Sequence, residues 1–205
     1  MLTIHHLRIG RSIFCVWLLE ELELEYELVE YVRHPETMRA PSSLKDVHPL
    51  GKSPVIDDDG LILTESGAIT AYLIEKHDKA GRFSPSRSDL RQWAEYTQWL
   101  HYPEASVFGP LLIKMLSLRS AEPQPLFSGF SDPEIALHLG HISNRLGDQT
   151  FILGEAFCGA DFGVTYVLSM ADRLGQLEGY DKLSEYLNRN MQRPAFLRAI
   201  ERAKD

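Results

Sequence analysis

Gly51-Lys52-Ser53-Pro54-Val55-Ile56, then Asp57-Asp58-Asp59-Gly60, then Leu61-Ile62-Leu63-Thr64-Glu65-Ser66-Gly67-Ala68-Ile69, reads as one folding unit. Pro54 opens a short apolar strand, a position where its missing N–H need not join a ladder. Asp59-Gly60 turns the chain back, and an Asp-Gly pair between two apolar runs is a strong hairpin signal. Leu61-Ile62-Leu63 is the return strand, and Thr64-Glu65-Ser66 begins a helix. The N–H groups at such a helix start suit an anion. Backbone groups just ahead of a strand, beside a helix N-terminus, make a place for a small peptide-like ligand.

Working back from this unit, Leu2 to Leu7 is a short apolar segment, expected as a buried strand. Of His5 and His6, one should point into the core and one out, because side chains alternate along a strand. Ile9-Gly10-Arg11-Ser12 turns into a helix in which Ile13, Val16, Trp17 and Glu20 recur at helical spacing to about Glu23. Glu25 to Val32 alternates around Tyr26, Leu28 and Tyr31 and predicts a second strand. Strand, helix and strand make a βαβ unit with parallel strands and a right-handed crossover. His34 to Leu50 carries Pro35, Pro41 and Pro49 and leaves room only for a short helix near Ser42 to Val47. Glu65 to Asp78 is helical. Residues 1–78 therefore read β-α-β-α-β-β-α.

Residues 79–88 hold Gly81, Pro85 and several serines with no apolar period, and are expected as a linker. Beyond them the pattern is helical only, so residues 89–205 are expected as an all-α domain. Leu90 to Leu118 is amphipathic but contains Pro103 and Pro110, each of which removes a helix bond, so a kink or break is expected. Arg119 to Ser131, with Pro123 and Pro125, reads as a loop. Asp132 to Leu146 is helical. Ala160 to Leu174 is apolar on most sides and should be a central buried helix. Tyr180 to Met191 and Pro194 to Ala203 close the chain, with Pro194 suited to a first turn.

Composition narrows the function. The chain has 205 residues, 44% hydrophobic and 24% charged, with a formal net charge of −8. That balance speaks against general binding of nucleic acid or anionic membranes. Cys15 and Cys158 form no disulfide framework and no Cys-x-x-Cys pair, which favours a reducing compartment. The N-terminus has no signal-peptide pattern, and no apolar run approaches a membrane span. A cytoplasmic location is expected.

Four segments, in this order and at these separations, resemble the glutathione S-transferase family over the whole chain. They are Trp17-Leu18-Leu19-Glu20-Glu21-Leu22, His48-Pro49-Leu50-Gly51-Lys52-Ser53-Pro54-Val55-Ile56, Leu63-Thr64-Glu65-Ser66-Gly67-Ala68-Ile69, and Gly159-Ala160-Asp161-Phe162. The resemblance implies a thioredoxin-like α/β N-terminal domain followed by an all-α domain. It implies a cytoplasmic homodimer with glutathione as co-substrate, an apolar electrophile as second substrate, no metal, and a role in detoxification.

The resemblance also gives the candidate residues their roles. The proline matching Pro54 is cis in the family, which would leave the Ser53 backbone to pair with the cysteinyl part of glutathione as an added strand. The plainer reading is a trans edge proline. Glu65 and Ser66 would hold the ammonium and carboxylate of the γ-glutamyl end, against an ordinary cap in which Thr64 bonds the helix and Glu65 complements its dipole. Lys52 and Arg39 are candidates for the glycine carboxylate, or else solvated surface charges. Lowering a free thiol's pKa from about 8.5 to about 6.5 takes about 2.7 kcal/mol of preferential stabilisation of the thiolate. The family places a Tyr, Ser or Cys for this at the start of the first helix. Ser12 is the only hydroxyl there, slightly later than the usual serine, and could equally be a helix cap. Arg11 could stabilise the thiolate by charge instead. Cys15 is expected to pack against the sheet.

Tyr102, Glu104 and Phe108 are candidates for a second-substrate wall between the domains, against the plainer reading of an aromatic stripe as core. Asp161 matches a family aspartate that caps the central helix, and Cys158 three residues earlier should weaken that capping box. The expected activity is conjugation of the glutathione thiol to apolar electrophiles. Two alternatives share the fold: a non-catalytic binding or scaffold protein, and a glutathione-dependent peroxidase or reductase. The last is weakened because no cysteine sits where thiol-exchanging members carry one.

Overall fold

The computed structural model describes residues 1–204 and divides the chain into two compact units. Among the described residues, the first contains Met1–Ala80 and 192–204; the second is Gly81–Met191.

In the first unit the order is β1 (Leu2–Leu7), α1 (Ser12–Glu21), β2 (Glu27–Tyr31), α2 (Leu44–Val47), β3 (Val55–Asp58), β4 (Leu61–Thr64) and α3 (Ser66–His77). The four strands form one sheet in the order β2-β1-β3-β4. β1 pairs parallel with β2 and antiparallel with β3, with His5 opposite Val55. This is the expected thioredoxin-like β-α-β-α-β-β-α pattern. The period of two is visible along β1: Leu2, Ile4 and His6 are buried, while Thr3 and His5 are half-buried. Asp59 and Gly60 both have positive φ, 53° and 93°, as a two-residue hairpin turn needs, and the Asp57 carboxylate accepts from the Gly60 N–H at 2.8 Å.

α1 is buried from Ser12 through Leu19, so it has no polar face to give to water. A helix of this kind must be covered all round. β1 and α3 cover part of it, and α9 (Pro194–Ala203) covers the rest. Phe196 meets Trp17 edge-on with ring centroids 5.2 Å apart, and Ala195, Ala199 and Ala203 complete the apolar face of α9. Charge pins the same contact. Arg193 forks onto Glu21 at 2.6 and 2.9 Å, Arg198 reaches Glu20 at 3.0 Å, and Arg202 lies over the Tyr26 ring while bonding its carbonyl. The expected division placed everything after residue 88 in the helical domain; α9 instead packs within the first unit, because α1 needs its apolar face.

The second unit contains α4 (Leu90–Tyr102), a π-helical segment (Pro103–Val107), α5 (Phe108–Leu118), α6 (Pro125–Leu146), α7 (Gly159–Arg173) and α8 (Asp181–Met191). The break expected in the long helix occurs at Pro103. Lacking an N–H, Pro103 leaves the α-helical ladder one bond short, and the Phe108 N–H reaches back five residues to its carbonyl. Pro110 lies in the first turn of α5 and breaks nothing. The segment expected as a loop, Arg119 to Ser131, is corrected in its second half. Pro125 starts α6, where a missing N–H has no cost, and Pro133 is carried inside the helix.

α7 is the central helix of this unit, buried along Gly159, Ala160, Asp161 and Phe162 and again through Val167 and Leu168. Gly163 lets it approach the π-helical segment, since a Cβ there would stand 3.2 Å from Pro103 Cγ. Asp161 is wholly buried and accepts from the Ile152 N–H at 3.0 Å, the Cys158 N–H at 2.8 Å and the Tyr186 hydroxyl at 2.6 Å. Both halves of the capping box form despite Cys158. The thiol is a weak acceptor, so the carboxylate carries the cap. Asp161→Ala would leave three buried donors without a partner and should lower stability by about 3–5 kcal/mol, read as a lower urea midpoint at unchanged slope.

Candidate active site

The loop from β1 to α1 is held in an uncommon shape. Ile9 has φ 56° and is 65% exposed, a conformation that β-branched residues rarely adopt and that costs about 1–3 kcal/mol. Arg33, two residues past β2, supports it. Its guanidinium donates to the Arg8 carbonyl at 3.1 Å, to the Ile9 carbonyl at 3.1 and 3.3 Å, and to the Met38 carbonyl at 3.0 Å. One fork therefore ties the β1–α1 loop to the loop after β2. Gly10 leaves room beside it: a Cβ there would stand 3.0 Å from Arg33 Nη2 and 3.0 Å from the Leu7 carbonyl oxygen, a tight contact.

Ser12 starts α1 but does not present its hydroxyl outward. It is 1% exposed. Its Oγ lies 2.9 Å from His6 Nδ1, accepts from the Leu7 N–H at 3.1 Å, and lies 3.3 Å from the Leu7 carbonyl. The helix has no side-chain cap, and Arg11, half-buried, occupies the N-cap position. The Ser12 hydroxyl, expected to face a bound sulfur, thus lies at the end of β1 inside the fold. His6 is the inward histidine. His5 lies on the other face, 3.0 Å from the Tyr31 hydroxyl, and burial lowers its pKa.

The Ser53–Pro54 peptide is cis. Pro54 is buried and Ser53 half-buried, while Lys52 is exposed beside Gly51. The Ser53 hydroxyl donates to the His5 carbonyl at 2.8 Å and accepts from the Leu7 N–H at 3.1 Å. Among the described residues, no group pairs with the backbone N–H or C=O of Ser53. β3 and β4 then lead to Glu65, which sits at the N-cap of α3 with φ 68° and no capping side-chain bond. Thr64 does not cap either, while Glu65 still stands at the positive end of the helix dipole. Ser66 begins the helix, and its carbonyl accepts from the Thr70 hydroxyl at 2.8 Å. Arg39 is exposed in the loop before α2, where its carbonyl closes a turn with the His34 N–H at 2.9 Å. The first unit therefore holds Arg11, Lys52, Ser53, Glu65 and Ser66 on loop ends and helix starts of one sheet-based scaffold.

In the second unit the three expected pocket residues diverge. Tyr102 turns to α6, its hydroxyl 2.6 Å from His138 Nδ1, and burial pushes its pKa up to about 12. Phe108 stacks on Tyr166 of α7 with centroids 5.9 Å apart. Glu104 lies half-buried in the π-helical segment between them. Tyr102 and Phe108 are both half-buried, each against a neighbouring helix. Cys15 is 1% exposed, as expected of a packing residue, and burial holds the Cys158 thiol well above its usual pKa.

Two contributions escaped the sequence. Arg33 stood as one more charge after a strand, with no pattern to mark its three carbonyl partners. Ser53 was read for its backbone alone, and nothing local shows that its hydroxyl meets β1 some 46 residues away.

Residues 2–75 match the family model described as the glutathione S-transferase N-terminal domain. Over its full length the chain is 32% identical to glutathione S-transferase 3 of Schizosaccharomyces pombe, of which it covers 89%. A crystal structure of a glutathione S-transferase from Actinobacillus pleuropneumoniae is similar at a TM-score of 0.90 and 34% identity, covering 100% of this chain and 93% of that one. A glutathione transferase homolog from Lodderomyces elongisporus, solved with two GSH per subunit, shares the fold at a TM-score of 0.82 and 20% identity, covering 98% of this chain and 97% of that one.

Arg33→Ala should release the β1–α1 loop. Amide hydrogen exchange at Ile9 to Ser12 should speed up by about tenfold or more, while global stability falls by only about 1–3 kcal/mol. Exchange unchanged at these amides would show that the fork does not hold the loop.

Proposed function

This chain belongs to the glutathione S-transferase family, and from that premise we propose that it binds glutathione on its first unit and conjugates the thiol to apolar electrophiles. The observation that carries the proposal is the open Ser53 peptide beside Pro54, on the same scaffold as the α3 N-terminus. An extended tripeptide can pair with that peptide as an added strand. Its γ-glutamyl ammonium would meet Glu65, and its carboxylate would meet Ser66 and the positive end of the α3 dipole. A residue held at φ 68° without a capping role, as Glu65 is, fits a side chain aimed for a ligand. Lys52 is the first candidate for the glycine carboxylate, with Arg39 a second.

With the Ser12 hydroxyl turned inward, thiol activation rests on the N-terminus of α1 and the charge of Arg11. Both favour a thiolate over a thiol. The thiolate sulfur would attack an electrophilic carbon of the second substrate. A C–S bond forms, and either a leaving group departs with the electron pair or the adduct takes up a proton. We place the protein in the cytoplasm as a homodimer; Leu126, Phe127 and Phe130, exposed along α6, are apolar side chains that a second copy would cover. The peroxidase or reductase reading has little support, because both cysteines are buried.

One observation favours a second reading. A start of α1 with no outward hydroxyl also fits a family member that binds glutathione without turning it over. Calorimetry and turnover separate the two. Glutathione should bind saturably, and Glu65→Ala should weaken it about ten- to a hundredfold, as loss of a charge-assisted bond predicts. Turnover of a model aryl halide that falls on Arg11→Ala supports the transferase; binding with no turnover supports the second reading; no saturable binding ends both.

A further inference from the structure

We infer that the Ser53 and Ser12 hydroxyls are positioning residues that share the Leu7 N–H and so register the ligand-pairing loop against the start of α1. The inference deepens the reading above and rests on it for its functional part.

The sheet register sets up the problem. His5 stands opposite Val55, so the same antiparallel register carried two residues further sets Leu7 opposite Ser53. In a continuing ladder, backbone bonds would join those two residues. The ladder stops at Val55, and the Ser53 side chain stands in for it. Its hydroxyl accepts from the Leu7 N–H at 3.1 Å and donates to the His5 carbonyl at 2.8 Å. β1 keeps partners for two inner backbone groups, and the Ser53 peptide is not drawn into the sheet. A side chain without a hydroxyl at Ser53 would remove the bond to the His5 carbonyl and leave the Leu7 N–H to Ser12 alone.

The second hydroxyl comes from the other direction. Ser12, 1% exposed at the first position of α1, accepts the same Leu7 N–H at 3.1 Å and is itself seated by His6 Nδ1 at 2.9 Å. One proton thus lies between an oxygen of the loop that would hold the cysteinyl backbone and an oxygen of the helix start that would hold its sulfur. Neither oxygen touches the ligand. Their effect is on the distance between the two places that do, and a shared proton makes them partly redundant: losing one leaves Leu7 with the other, and losing both orphans it.

The test is a double-mutant cycle on the full chain, with Ser12→Ala, Ser53→Ala and both together, read by glutathione calorimetry and by the ultraviolet absorbance of the bound thiolate against pH. Each single variant should bind up to about tenfold more weakly, and the double variant at least about tenfold beyond the product of the singles. The bound thiol of the double variant should titrate about one pH unit higher than in wild type, which a loss of global stability alone would not cause. Losses that simply multiply, with an unmoved thiol titration, overturn the inference. If wild type binds no glutathione, the functional reading fails by itself, and the Leu7 amide of the ligand-free protein decides the register. Its exchange should stay slow in each single variant and become fast only in the double. Should the double variant not fold, the Leu7 amide proton must move upfield in each single variant; no such move in Ser53→Ala overturns the sharing.

Discussion

The structure depends on the burial of α1. A ten-residue helix with no polar face has to be enclosed, and β1, α3 and α9 enclose it. The sheet and α3 supply one side. The other is supplied by the last helix of the chain, which returns after the whole second unit has been made. At about 25 cal/mol per Å² of apolar surface removed from water, covering Phe14 and Trp17 contributes several kcal/mol, more than any surface ion pair supplies. The arginines of α9 add direction. Burial pushes the Glu20 carboxyl up, but the bonds from Tyr26 and Arg198 outweigh it and hold the group below its usual pKa. An unpaired carboxylate there would be costly, so these pairs favour this seating of α9.

That enclosure fixes where chemistry can happen. With its body sealed, α1 offers a ligand only its N-terminus, at the end of β1. The loop leading into it is tied by Arg33, and Gly10 leaves room for the tie. The other two places proposed to meet the ligand, the Ser53 peptide and the α3 N-terminus, lie at the two ends of the β3–β4 hairpin. Three backbone-rich sites on one rigid sheet suit a ligand that is itself mostly peptide. In this reading side chains tune the site, and backbone groups make it.

Much of this could be read in the sequence because it is local. Pro54, Asp59-Gly60 and the apolar runs between them specify a hairpin within a dozen residues. The alternation in β1 predicted one histidine in and one out. The Pro103 break followed from a missing N–H, and the cap by Asp161 from the family resemblance. What was not legible is long-range. The return of α9 to α1 joins residues 172 positions apart, and an arginine at 193 says nothing of Glu21 until the fold exists. Pro125 was read as a breaker because a proline at a helix start and one in a loop look alike. Ser12 was weighed as a cap or a catalyst; the helix start has no side-chain cap, and its hydroxyl lies against His6 and Leu7, contacts that no local pattern marks. The family relationship covers the whole chain and fixes the scaffold, but it does not carry the thiol-activating group onto a particular residue.

The central claim is that the open peptide of Ser53 and the start of α3 together hold one glutathione molecule. The most direct measurement is a titration of the isotope-labelled full chain with glutathione, following backbone amides by nuclear magnetic resonance. The account predicts that the Ser53 and Ser66 amides move saturably with one common Kd, while amides on α8 stay still. Saturable movement that spares Ser53, or no saturable movement at all, would contradict it.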